Sequence, residues 1–178
     1  DHAGGIPELL RSVKVDTIYL PATADDGSMQ AQILAAAEES GTQVYFVEQD
    51  LTMTFGAAML SVYAPVFAVS ENNGSLSAHW RYGQFDVLMT GDMDADAEQV
   101  LLDRQGLSAV EVLVAGHHGA ATSTGDTLLE QLTPELVLIS VGAENSYGHP
   151  ASETLERLRQ SGASVYRTDQ CGNITIRR

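Results

Sequence analysis

Four short segments place residues that could bind a metal ion or a phosphate beside apolar stretches or before a helix. They are the opening Asp1-His2, Gly91-Asp92 after Phe85–Thr90, Gly116–Gly119 after Glu111–Ala115, and Asn145–Pro150 after Leu136–Val141. Histidine nitrogens and aspartate oxygens form ligand sets suited to zinc, manganese or iron. Four of the five histidines lie in these segments, and His79 is the exception. Together the segments favour a site for metal ions or phosphate.

Each segment taken alone also has a simple structural explanation. Asp1-His2 could be an unstructured terminus, and Asp92 could cap a helix that begins near Asp94. His149 precedes a proline and could be an ordinary turn residue. The pair His117-His118 between glycines is harder to explain by packing alone, because two adjacent histidines rarely serve only that purpose.

Periodicity and turn residues predict the elements that would position these segments. Helices are predicted at Pro7–Val13, Ser28–Ser40 (with Ser28 as N-cap), Asp94–Gln105, Thr124–Leu132 and Ser152–Ser161. Strands are predicted at Thr17–Leu20, Gln43–Glu48, Thr52–Phe55, Ala58–Ala64, Ser75–Tyr82, Phe85–Thr90, Glu111–Ala115, Leu136–Val141, Ser164–Arg167 and Asn173–Ile176. This order implies a mixed sheet with helices on its faces. In such α/β sheets, residues at the carboxyl ends of strands converge on one crevice.

Composition sets limits on the class of protein. The 178 residues, 44% of them hydrophobic, suffice for one domain spanning 1–178 with a sizeable core. Nine basic residues against 24 acidic ones give a net charge of −15, which argues against a passive nucleic-acid-binding module and suits a site that concentrates divalent cations. The only cysteine, Cys171, excludes an intrachain disulfide. No stretch reaches the roughly 18 apolar residues of a membrane span, so we expect a soluble domain.

The motifs resemble those of metallo-β-lactamase-fold hydrolases, and of the ComEC-type competence proteins in particular. Asp1–Gly5 resembles the end of the family's His-x-(His/Asp)-x-Asp-His-x-Gly-Gly motif. The further matches to the ComEC branch are Asn72–Leu76, Val87–Asp92, His117–Gly119 (with Ala120 in place of a serine), Ser140–Pro150 and Tyr166–Ile174. Their order and spacing agree over essentially the whole chain.

The resemblance implies an α/β fold, an αββα sandwich that here lacks its N-terminal strands, with a dinuclear metal site at one edge. It implies two divalent ions, manganese or zinc, and no organic cofactor. Asp1 and His2 would bind one ion, Asp92 would bridge both, and His118 would complete a shell. His117 would face the scissile phosphate, although the roles of the two adjacent histidines could be reversed. The remaining roles are phosphate contact or ligand support for His149, and substrate binding for Asn72, Asn73 and Ser75.

The function that the resemblance implies is phosphodiester hydrolysis of DNA during competence-related DNA uptake. The domain would belong to a membrane protein, follow its channel, and lie on the extracytoplasmic face. Two upstream ligands would precede residue 1, so residues 1–178 alone could bind metal incompletely and be inactive. Two alternatives stay open: a non-catalytic domain that gates or scaffolds a DNA-uptake channel, and a phosphorylcholine-esterase-like phosphodiesterase.

Overall fold

The computed structural model describes residues 2–22, 28–67 and 72–177 of the chain. Its helices are α1 (Ile6–Ser12), α2 (Ser28–Ser40), α3 (Ala95–Gln105), α4 (Asp126–Leu132), α5 (Ser152–Ser161) and α6 (Thr168–Cys171). Its strands are β1 (Thr17–Pro21), β2 (Gln43–Val47), β3 (Leu51–Phe55), β4 (Ala58–Tyr63), β5 (Ser77–Tyr82), β6 (Phe85–Met89), β7 (Val112–Val114), β8 (Leu136–Ile139) and β9 (Ser164–Arg167). Asp1, a predicted metal ligand, lies outside the described residues. None of the helices described is both long and apolar enough to cross a membrane.

The strands form two sheets that are packed between two layers of helices. Seven strands make one sheet in the order β3-β4-β5-β6-β7-β8-β9, and β1 pairs with β2 in a small parallel sheet. Helices α1 and α2 cover the small sheet through Leu10, Ile33 and Ala36. The other face of the small sheet contributes Val47 to a core shared with β3 and β4. Helices α3, α4 and α5 cover the opposite face of the large sheet. The predicted αββα layering is confirmed.

The direction of the central strands determines where the predicted site can form. Strands β3 to β6 are antiparallel neighbours, whereas β6, β7, β8 and β9 run parallel. Met89, Val114 and Leu138 lie side by side near the carboxyl ends of β6, β7 and β8. The loops that follow these three strands therefore leave the sheet at one edge.

The prediction of a terminal strand at Asn173–Ile176 is wrong. The chain forms helix α6 after β9, and residues 173–177 join no sheet. Instead, Ile176 lines a shallow cavity with Glu111 and Glu135, which immediately precede β7 and β8. The tail thus lies near the starts of these strands and pairs with neither of them. Helix α4 also begins two residues later than predicted, because Thr124 has a left-handed φ of 54°.

Candidate metal centre

Three side chains from distant parts of the sequence converge at the carboxyl edge of the large sheet. His2 precedes α1, Asp92 follows β6, and His118 follows β7. His2 Nε2 lies 3.0 Å from Asp92 Oδ2 and 2.9 Å from His118 Nε2. One ligand atom from each residue lies within 4.8 Å of the others. Since metal–ligand bonds to histidine and carboxylate are about 2.0–2.2 Å, this spacing allows all three side chains to bind one ion.

The ring of His118 is held in an orientation that suits a metal ligand. Its Nδ1 lies 2.7 Å from the backbone carbonyl oxygen of Ser140, in the loop after β8. A carbonyl oxygen only accepts, so Nδ1 carries the proton and donates it. In the neutral ring Nε2 then keeps its lone pair, and this is the atom that faces His2. Metal-binding histidines are commonly fixed by such a hydrogen bond from the second ring nitrogen.

Gly91 and Ser75 fix the backbone position of Asp92. Gly91 has a φ of +70°, and a Cβ atom there would lie 2.6 Å from Ser75 Cβ, so only glycine fits. The Ser75 hydroxyl accepts a hydrogen bond of 3.0 Å from the Asp92 backbone N–H. Asp92 Oδ1 is buried and has no hydrogen-bond partner among residues 2–22, 28–67 and 72–177. A buried carboxylate oxygen is costly unless a proton or a cation compensates its charge. The group therefore fits a divalent cation.

The two adjacent histidines lie in a strained 3-10 turn, Gly116–Gly119. His117 and His118 have φ values of 49° and 55°, in the left-handed region. For a residue with a side chain this region costs about 1–2 kcal/mol, and such strain clusters at functional sites. A Cβ atom on Gly119 would lie 2.7 Å from Pro150 Cβ, so the turn packs directly against the loop that carries His149.

Glu98 is a buried acid that the sequence analysis did not identify, and hydrogen bonds link it to this turn. Glu98 is 1% exposed, and its carboxylate accepts hydrogen bonds from the backbone N–H groups of Thr124 (2.7 Å) and Gly125 (2.9 Å). The Thr124 hydroxyl in turn accepts 3.0 Å from the N–H of Gly116, the first residue of the histidine turn. Burial raises the pKa of Glu98 to about 7, against the opposing effect of these backbone hydrogen bonds and of Arg157. Glu98 thus connects α3 to the start of the turn through one hydrogen-bonded residue.

His117 and His149 lie beside the three converging side chains. His117 Nε2 is 3.9 Å from Asp92 Oδ2, and the rings of His117 and His149 meet edge to face with centroids 5.5 Å apart. Tyr147 stacks on His149 at 5.9 Å. Asn145 fixes the backbone of His149, accepting from its N–H at 3.0 Å and donating to its carbonyl oxygen at 2.8 Å. Burial, together with the nearby His117 and His118, lowers the pKa of His149.

The predicted substrate-binding residues lie in the turn between residue 71 and β5. Asn73 donates to Asp94 Oδ2 at 2.8 Å and accepts from the Asp94 N–H at 3.0 Å. Asp94, rather than Asp92, caps helix α3 by accepting from Ala97 N–H at 2.9 Å. The hydrogen bond from Asn73, followed by that from Ala97, lowers the pKa of Asp94. Asn72 is exposed, whereas Asn73 is half-buried against the start of α3.

Comparison with known proteins shows the family. The chain matches the metallo-beta-lactamase superfamily over residues 1–143. It is 31% identical to ComE operon protein 3 of Bacillus subtilis, a match that covers 99% of this chain and 23% of that protein. It is 28% identical to Recombination protein 2 of Haemophilus influenzae, over 99% of this chain and 21% of that protein. Competence protein ComA of Neisseria gonorrhoeae is 34% identical over 60% of this chain and 16% of its own length. The chain thus spans less than a quarter of these relatives.

A solved structure with the same fold is CmlA, a diiron β-hydroxylase from Streptomyces venezuelae. Its TM-score is 0.55 at 13% identity, covering 89% of this chain and 39% of CmlA, so the likeness concerns the fold alone. Members of the superfamily are metal-dependent hydrolases that use divalent metals. The family match, the competence-related relatives and the fold confirm the resemblance found in the motifs. The chain belongs to the metallo-beta-lactamase superfamily.

Proposed function

We propose that this chain is a metal-dependent phosphodiester hydrolase that acts on DNA during competence-related uptake. The observation that carries the proposal is the convergence of His2, Asp92 and His118 on one point, with His117 and His149 beside it. Relatives whose names refer to competence and recombination make DNA the substrate to test first.

His2, Asp92 and His118 would hold a divalent ion, manganese or zinc. Asp1 would contribute to the same centre, and Asp92 would be shared with a second ion. When bound, such ions act as Lewis acids that stabilise the charge developing on a phosphodiester and make a water molecule more acidic. A divalent cation also offsets the net charge of −15, which otherwise repels a polyanionic substrate.

The neighbouring side chains suggest how the chain itself would orient a phosphate. His149 Nδ1 is buried and has no hydrogen-bond partner within the part of the chain that the structure describes. A lowered pKa keeps His149 neutral at neutral pH, so it can donate one hydrogen bond to a phosphate or leaving-group oxygen. His117, on the Asp92 side of His149, would face the same phosphate. Asn72 is exposed and would contact the nucleotide, while Asn73 and Ser75 would act mainly by holding the loop that carries Asp92.

Asp92→Asn tests the proposal most sharply, because asparagine keeps the shape of aspartate but loses its charge. Asp96→Asn is the matched control, since Asp96 is exposed on α3 and the substitution also replaces a carboxylate by an amide. Cleavage of fluorescently labelled single- and double-stranded DNA is measured with saturating manganese or zinc for the chain within its full-length protein, because residues 1–178 alone could bind metal incompletely. We expect cleavage to fall by about a hundredfold or more in Asp92→Asn and to stay unchanged in Asp96→Asn, because loss of a metal ligand removes the charge stabilisation of the reaction.

One further substrate and a metal-binding measurement separate the alternatives. Faster turnover of p-nitrophenyl phosphorylcholine than of DNA would favour a phosphorylcholine-esterase-like activity. Metal binding that depends on Asp92, without hydrolysis of either substrate, would favour a non-catalytic domain that scaffolds or gates a DNA-uptake channel. The association with a membrane channel and the extracytoplasmic location are parts of the same proposal, and labelling by a membrane-impermeant reagent in intact cells tests the location.

A further inference from the structure

Tyr147 is an exposed aromatic side chain beside the proposed metal centre. Its exposed fraction, 73%, is the highest among the large apolar side chains on the surface of the part that the structure describes. Its ring lies nearly parallel to that of His149, at an angle of 15° and with centroids 5.9 Å apart. His149 in turn meets His117, whose Nε2 is 3.9 Å from Asp92 Oδ2. Two ring contacts therefore connect Tyr147 to a side chain that neighbours Asp92.

One face of the Tyr147 ring is open to a ligand. Near-parallel rings with centroids roughly 4.5–7 Å apart form an offset stack, so His149 covers only part of the other face. Asn145 fixes the loop between them, accepting from the His149 N–H at 3.0 Å and donating to the carbonyl oxygens of His149 and Gly142, both at 2.8 Å. The ring is thus held in place without being buried, which lowers the entropy that a ligand loses on binding to it.

The loops around the metal centre offer no cationic side chain to a polyanion. Four loops leave this edge or pack against it, and none contains a lysine or an arginine: residues 72–76, 91–94, 116–119 and 140–150. Arg157, which follows on α5, donates to the backbone carbonyl oxygens of Ala121, Ser123 and Thr124. The net charge of −15 repels phosphates away from the metal centre. A DNA strand must therefore be held there through its uncharged parts, which are the bases and the sugars.

An aromatic ring that is held in place suits the face of a base. Every base has such a face, and a single strand leaves it free, whereas a duplex buries it between neighbouring base pairs. We propose that Tyr147 is a specificity-determining residue that stacks on the base of an unpaired nucleotide next to the phosphate at the metal centre. This role rests on the proposed function and adds the part of the substrate that the chain would hold beside the phosphate.

The test compares two strands that share a backbone and differ only in their bases. One is a fluorescein-labelled oligothymidylate, and the other is a strand of the same length built from abasic tetrahydrofuran residues. Both carry phosphorothioate linkages, which slow cleavage. Fluorescence anisotropy with manganese present gives the Kd of each strand for the full-length protein that contains the chain. We expect the wild type to bind the thymidine strand at least about fivefold more tightly, the smallest effect of one stacked base.

Substitutions then assign this preference to Tyr147. Tyr147→Ala should lower the ratio of the two affinities by about fivefold to a hundredfold, and Tyr147→Phe should keep it, because phenylalanine retains the ring. Tyr82→Ala is the matched control, since Tyr82 is 54% exposed and ends β5 in the hairpin before β6, whereas Asp92 follows β6. A change that only disturbed the metal centre would weaken both strands equally, because they present the same phosphates, and would leave the ratio unchanged.

The role of Tyr147 is overturned if the wild type binds both strands equally or if Tyr147→Ala keeps the preference for bases. The comparison of strands on the wild type needs no variant, so it decides the matter even if Tyr147→Ala fails to fold. Cleavage of the thymidine strand with ordinary phosphodiester linkages separates the two proposals. A preference that depends on Tyr147, without cleavage, supports stacking and contradicts the hydrolase, whereas cleavage without any preference for bases does the reverse.

Discussion

Gly119→Ala is the substitution that most directly probes how the histidine turn is held. Gly119 directly follows His118 and has a φ of +81°, and a Cβ atom there would lie 2.7 Å from Pro150 Cβ and 3.3 Å from Pro150 Cα. Gly162, at the end of α5, has nearly the same φ of +79°, but nothing lies within 4 Å of its Cβ position. An alanine at either position would therefore have the same backbone strain. Only at position 119 would its Cβ atom also come too close to Pro150.

The expected magnitudes follow from this difference. Alanine in the left-handed region costs about 1–2 kcal/mol, which is the whole effect expected of Gly162→Ala. Gly119→Ala adds the displacement of the Pro150 loop, and overpacking of this kind costs about 1–3 kcal/mol. We therefore expect Gly119→Ala to be the more destabilising by about 1–3 kcal/mol. In a domain of 178 residues this corresponds to a Tm lower by roughly 2–12 °C.

The assay measures both stability and metal affinity for the two variants. Thermal and urea unfolding give the difference in the free energy of unfolding, and titration calorimetry with zinc gives the affinity. Gly119→Ala should also weaken metal binding, because the turn moves with His118, whereas Gly162→Ala should not. Equal destabilisation by the two variants, with unchanged zinc affinity in both, would refute the tight packing of the histidine turn against Pro150.

Two further predictions concern the side chains that support the site. The pKa of Glu98 is raised from 4.5 to about 7 in the folded protein, so the folded state holds this proton more tightly and its contribution to stability falls as pH rises from 4.5 to 7, by about 3 kcal/mol. In urea unfolding across that range, Glu98→Gln should lack this component, and parallel pH profiles for wild type and variant would contradict the assignment. Ser75→Ala removes the acceptor for the Asp92 N–H and should lower stability by about 1 kcal/mol and weaken zinc binding; unchanged zinc affinity would show that Asp92 needs no such support.

Local signals in the sequence predicted most of the elements that build the fold. Helix Ser152–Ser161 and strand Ser164–Arg167 have the predicted bounds, because Gly162 adopts the left-handed conformation that ends the helix. The hairpin turn at Gly83 likewise uses a positive φ of 65°. The placement of Asp92 and His118 after parallel strands followed from strand order alone, and the structure brings both residues to His2.

Features that depend on long-range packing were not predicted. Ser140 orients His118 through a backbone carbonyl group, which every residue has, so no residue type marks that role. Glu98 did carry a signal, since Leu101 and Leu102 at the third and fourth positions after it place it on the buried face of α3. Its partners, the N–H groups of Thr124 and Gly125, could not be read from residue types.

The same limit explains the incorrect prediction of a terminal strand. The alternation of residues 173–176 is typical of a strand, but alternation alone does not show whether a segment runs alongside another strand, and this one lies near the starts of β7 and β8 instead.

The most direct test of the account is zinc or manganese binding to the chain and to its Asp92→Asn and His118→Ala variants. Binding is measured by titration calorimetry, with Asp96→Asn as the control for loss of an exposed acidic charge. We expect each of the two site variants to weaken binding by about a hundredfold or more, because each removes one of the three converging side chains that we propose as ligands, and the control to bind as the wild type does. Wild-type affinity in both Asp92→Asn and His118→Ala would show that these residues do not form a metal centre.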